Sequence, residues 1–102
     1  MNLLSRIFTV KFEVTEEHIK NGKRSDSHMC PVSLALKDRF PEFTKVVVGY
    51  SIIYLYIEGS PYASHYVCPN TRLKTFIADF DRGMSVKPSR YDVRIYKMGK
   101  DE

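Results

Sequence analysis

Apolar and polar residues alternate near the start of the chain, with Phe8, Val10, Phe12 and Val14 interleaved by Thr9, Lys11 and Glu13. A period of two puts the two sets on opposite faces of a strand, so the first element has one buried face. The alternation breaks at Thr15, a residue suited to cap a helix. Glu16 and Glu17 then sit favourably against the positive end of that helix, and Asn21-Gly22 supplies a left-handed stop after about two turns. Lys23 to Ser27 reads as a polar loop. Pro31 opens a second helix, where its missing N–H costs no hydrogen bond. Val32, Ala35, Leu36 and Phe40 form its inward stripe, and Pro41 ends it.

The middle of the chain reads as a meander. Lys45 to Val48 and Ile52 to Glu58 are β-branched and aromatic runs joined by Gly49-Tyr50-Ser51, a hairpin signal. Gly59-Ser60-Pro61 breaks the chain, Tyr62 to Val67 alternates again, and Cys68-Pro69 opens the last helix. Leu73, Phe76, Ile77 and Phe80 recur at helical spacing, and Gly83 terminates that helix. Tyr91, Val93 and Ile95 alternate with Asp92, Arg94 and Tyr96 in a final strand. The order β-α-α-β-β-β-α-β predicts one α+β domain over residues 1–102. Its three short helices pack on one face of a mostly antiparallel sheet of about five strands.

Composition narrows the classes. With 102 residues and 43% hydrophobic content, the chain can build one modest core. No run approaches a membrane span, and Met1–Arg6 is too short and too soon charged for a signal peptide, so a soluble cytoplasmic protein is expected. Two cysteines fit thiols in a reducing compartment, with a single disulfide as the alternative. The net charge of +4 permits an anionic partner but is far milder than that of a dedicated polyanion binder. Its distribution is uneven. Val46 to Thr71 contains no Lys or Arg, whereas the tail after Asp81 carries Arg82, Lys87, Arg90, Arg94, Lys97 and Lys100 against Asp92, Asp101 and Glu102. That tail reads as a basic C-terminal edge, or as an edge strand kept soluble by its charges.

Catalytic chemistry finds little support. Cys30 with His28, or Cys68 with His65, would pair a thiol at a helix start with a base, but no orienting Asp or Asn and no oxyanion loop accompanies either. A zinc site from His28, Cys30, His65 and Cys68 would have His-x-Cys and His-x-x-Cys spacings, unlike the Cys-x-x-Cys pairs of structural sites. Asp79 and Asp81, two apart on a helix, diverge and read as solvated charges. The expectation is a protein without enzymatic activity, metal or cofactor.

Recognition is the remaining chemistry. Ile53, Leu55 and Ile57 make the core face of their strand, so Tyr54 and Tyr56 look outward. Arg94 and Tyr96 share the polar side of the final strand. Together they would form an aromatic and basic platform, suited to single-stranded nucleic acid by stacking or to a protein interface anchored by Tyr and Arg. The same tyrosines would also serve simply to cover a half-exposed sheet.

A longer pattern runs through the chain: Glu17-His18-Ile19, Gly22-x-Arg24, Cys30-Pro31-Val32, Leu34-Ala35-Leu36, then Phe76-Ile77, Phe80-Asp81-x-Gly83 and Val86-x-Pro88. It resembles a group of small proteins from bacteriophages, prophages and bacteria that has no assigned activity. The N-terminal extension and the tyrosines of the meander depart from that group's simplest members. The resemblance implies a phage or mobile-element accessory protein. Such a protein would bind a host protein or protein–nucleic-acid complex stoichiometrically, for instance as an anti-CRISPR-like inhibitor of a host defence complex. The partner-binding residues expected are Lys20, Lys23, Arg24, Tyr54, Tyr56, Arg94 and Tyr96. The rival is nucleic-acid binding, with Lys87, Arg90, Arg94 and Lys97 on phosphates.

Overall fold

The apolar faces of five strands meet in one antiparallel sheet. In the computed structural model, which describes residues 7–98, the chain runs β1 (Ile7–Val14), α1 (Glu16–Asn21), α2 (Pro31–Arg39), β2 (Phe43–Val48), β3 (Ile53–Ile57), β4 (His65–Val67), α3 (Thr71–Asp81) and β5 (Ser89–Lys97). The expected order and the α+β class are both present. The spatial order of the strands is β1-β5-β4-β3-β2. Met1–Arg6, and Lys100, Asp101 and Glu102 of the basic tail, lie outside the described residues.

One face of this sheet is the floor of the core. Phe12 and Val14 of β1, Tyr91, Val93 and Ile95 of β5, Val67 of β4, Ile53 and Leu55 of β3, and Phe43, Val46 and Val48 of β2 are all buried. The strand registers put these residues opposite one another, Phe12 facing Tyr91, Ile95 facing Val67, and Leu55 facing Val46. Above them α2 buries Val32, Ala35 and Leu36, and α3 buries Leu73, Phe76 and Ile77. Phe40 is buried too, as the cap residue just past α2. Burying that much contiguous apolar area is the main drive to this arrangement. α1 buries no residue; it packs on α2 and forms an outer layer.

Local chemistry explains most element ends and corrects several expectations. Thr15 caps α1 through a capping box in which His18 takes the position usually held by Glu or Gln. Gly22 is not a left-handed stop: its φ is −74° and its ψ 157°, which is extended backbone. Glycine is required there for space, because a β-carbon would lie 2.6 Å from Pro31 Cδ. Cys68-Pro69 does not itself open α3. Asn70 is the cap, its Oδ1 accepting the Leu73 N–H at 2.9 Å, so the helix begins at Thr71. At the other end Gly83, at φ 81°, donates to Phe80 O at 3.0 Å, and Met84 N–H reaches Asp79 O at 2.9 Å. These two bonds are a Schellman motif, as Gly83 foretold.

The sheet itself departs from expectation in two places. β4 is three residues long rather than running from Tyr62, because Ser60 Oγ bonds Tyr62 O at 2.7 Å and holds the preceding segment in a turn. β5 is not an edge: it lies between β1 and β4, so the basic C-terminal edge read from the tail does not exist. Among the described strands β1 and β2 are the edges.

Candidate functional site

Among the described residues no helix packs on the second face of the sheet, and its composition differs sharply from the core side. Tyr54, Tyr66 and Tyr96 are register partners on β3, β4 and β5, so they form one row across three adjacent strands. Val47 on β2 continues the row. All four side chains are half-buried. The Tyr66 and Tyr96 rings stack at a centroid distance of 5.0 Å and an interplanar angle of 13°. Tyr56 sits beside its partner Lys45, whose Nζ lies 4.1 Å from the ring centroid, within cation–π range.

Charges on this face are largely matched across strands. Lys11 opposes Asp92, and Glu13 opposes Arg90 with 3.9 Å between Oε1 and Nε. Arg94 opposes Thr9, so its charge has no acidic cross-strand partner. Opposite charges facing each other across strands favour the register modestly and lower the field the face projects. What remains is a mildly basic, tyrosine-rich surface with none of the described helices over it.

Four of the expected partner-binding residues, Tyr54, Tyr56, Arg94 and Tyr96, therefore share one surface. Lys20, Lys23 and Arg24 do not join them. Lys20 is on α1 and the other two follow it, and α1 lies over α2 on the opposite side of the sheet. The expected phosphate-binding set also separates. Arg90 and Arg94 are on the tyrosine face, Lys97 alternates to the helix side, where its register partner is His65, and Lys87 is in the loop before β5. Sequence reading missed Tyr66, the residue that joins Tyr54 to Tyr96. Tyr66 alternates with the buried Val67 and so faces away from the core, but only strand order reveals its neighbours.

The metal and thiol candidates are dispersed. Among the described residues no group of three or more His, Cys, Asp or Glu could hold a metal ion. Cys30 is buried at the start of α2, and burial pushes its thiol up from the ordinary range, against hydrogen bonds from the Ser33 and Val32 backbone. Cys68 is exposed, and both cysteines are free thiols. His65 lies on the helix side between Phe8 and Phe43, at centroid distances of 6.2 and 5.2 Å. Burial, aided by Lys97 and opposed by Glu42, holds its imidazole below the usual range. Asp79 and Asp81 are not merely solvated: Asp79 pairs with Arg82 at 2.8 Å, and Asp81 Oδ1 accepts the Ser25 N–H at 2.9 Å.

His18 and Asp38 form a pair that sequence spacing did not disclose, with Nε2 2.6 Å from Oδ2. The Thr15 N–H donates to His18 Nδ1 at 3.0 Å, which makes Nε2 the donor to Asp38. Both ring nitrogens are thus committed. The Thr15 hydroxyl, 3.1 Å from Nδ1, finds no free base there, and the constellation is a helix cap tied to α2. No helix among the described residues is long and apolar enough to cross a membrane. No protein-family model, no curated protein and no solved structure matches the chain.

Proposed function

We propose that this protein acts by stoichiometric binding of a protein partner through the open sheet face, and that it has no catalytic activity. The observation that carries the reading is the Tyr54-Tyr66-Tyr96 row on a face that none of the described helices covers. Tyrosine brings large, rigid contact area with a polar tip, which suits the centre of a protein interface. Ring orientation favours protein over nucleic acid. Tyr66 and Tyr96 already cover one face of each other, and Lys45 lies over Tyr56, so little ring surface remains for stacked bases. The cross-strand pairing of Lys11 with Asp92 and Glu13 with Arg90 further reduces the charge available to phosphates. The sequence pattern from Glu17 to Pro88 supports the finer reading of a phage or mobile-element accessory protein. On that reading its partner is a host protein or protein–nucleic-acid complex, such as a CRISPR-type defence complex.

Affinity co-purification of the tagged protein from bacterial lysate, with and without nuclease and across a salt series, tests this. The expected result is a protein partner in fixed stoichiometry that survives nuclease. Recovery of nucleic acid alone, lost steeply with salt as released counterions require, would replace the reading with the nucleic-acid one, for which Arg94 beside the tyrosine row is the favouring feature.

A further inference from the structure

The basic loop left out of the tyrosine face has a groove of its own. On the helix side, Ile19, Arg24, Phe80, Gly83, Met84, Ser85 and Val86 line an open hollow of about 330 Å³. Ile19, Phe80 and Val86 pack partly against the core and form its apolar wall, and Met84 is 54% exposed at its rim. Large apolar side chains left at the surface beside a concavity are a common mark of a binding site.

Two constraints fix the shape of the groove. Ser25 N–H bonds Asp81 Oδ1 at 2.9 Å, which ties the loop after α1 to the end of α3, and Ser25 takes a φ of 54° to do so. The Schellman turn at Gly83 holds Met84 from the other side. Arg24 lies across the join. A β-carbon on residue 83 would be 2.8 Å from Arg24 Nη1, so the guanidinium rests in the space that glycine leaves. Among the described residues Arg24 has no ion pair.

The surroundings share its sign. Lys20 adjoins Ile19, Lys23 adjoins Arg24 and Lys87 adjoins Val86, while the charge of Arg82 beside Gly83 is matched by Asp79. Of the acids near the turn, Asp79 is held by Arg82 and Asp81 by the Ser25 amide. An apolar floor, a guanidinium at its edge and a basic rim are complementary to one kind of occupant. We propose that this groove binds a peptide segment of a protein partner in which an apolar side chain such as leucine is flanked by carboxylates. The apolar side chain enters between Ile19, Phe80 and Val86, and Arg24 takes a carboxylate in a charge-assisted hydrogen bond. The site stands apart from the tyrosine face, on the other side of the sheet, and gives the protein a second point of attachment. A guanidinium here also complements the negative end of α3, but that role needs neither the exposed Met84 nor the other cations.

The test follows the methyl resonances of the full chain during titration with a short synthetic peptide alternating leucine and glutamate. Saturable shifts of Ile19, Met84 and Val86 are expected. Arg24→Gln should weaken binding roughly tenfold, the size of one lost charge-assisted hydrogen bond. Met84→Glu, at an exposed position that leaves the fold intact, should weaken it as well, whereas Tyr66→Ala should not. Equal binding of a leucine–glutamine peptide, shifts confined to the tyrosine face, or no saturable shift would overturn the proposal. So would displacement of the peptide by a short single-stranded oligonucleotide that binds more tightly.

Discussion

Pro31 packs its ring against the backbone of Gly22, where a β-carbon would meet Cδ, Cγ and N at 2.6 to 2.7 Å. All three atoms belong to a rigid ring at the start of α2, so they cannot yield as a flexible side chain would. Gly22→Ala should cost about 1–3 kcal/mol by overpacking, read as a lower denaturation midpoint with an unchanged slope. Its neighbouring Asn-Gly signal suggested a left-handed turn, and the true reason was a contact with a residue nine positions on, which no local pattern encodes. His65 makes a second prediction at this scale. Its imidazole is held below the ordinary value, so as pH falls the unfolded chain takes up the proton first. Stability should therefore decline from about pH 6.5 down to the lower folded-state pKa and level off below it. His65→Gln should remove that part of the pH dependence, which unfolding curves of the two proteins across mildly acidic pH will show. A wild-type profile no steeper than that of the variant would mean that the ring is freely solvated.

The edges of the sheet show how elements are protected from open-ended pairing. On β1, Lys11 O accepts from Arg39 Nε at 3.0 Å. On β2, Val48 N–H donates to Ser27 O at 2.8 Å, and Val46 O lies 2.9 Å from Ser33 Oγ, which is also 2.7 Å from His28 O. Side chains and a loop thus occupy backbone groups that would otherwise recruit another strand. Ser33 is fully buried and its single hydroxyl hydrogen is shared between these two carbonyls, so Ser33→Ala removes one buried donor and should cost about 1–3 kcal/mol in denaturant unfolding. A loss no larger than that of an exposed serine would show that water replaces the hydroxyl. Elements with strong periodicity, β1, α3 and β5, were legible from their residues alone. β4 was not, because its length is set by the Ser60 turn and by pairing on both sides. The placement of β5 inside the sheet was equally hidden, since alternation tells a strand its faces but not its neighbours.

At the scale of the whole molecule, one sheet separates two surfaces of different character. The outward direction of Tyr54, Tyr56, Arg94 and Tyr96 followed from alternation. The joining of Tyr54 and Tyr96 through Tyr66, and the separation of both from Lys23 and Arg24, required the strand order β1-β5-β4-β3-β2. Half-buried tyrosines on an uncovered face contribute little to the core, so truncating them should spare the fold and remove the interface. The most direct measurement compares Tyr66→Ala and Tyr96→Ala with the wild-type protein in nuclease-treated co-purification, alongside their denaturation midpoints. Loss of a stoichiometric protein partner by either variant, with folding stability within about 1 kcal/mol of wild type, is the predicted result. Full retention of the partner by both folded variants would contradict the assignment of the open sheet face as the binding surface.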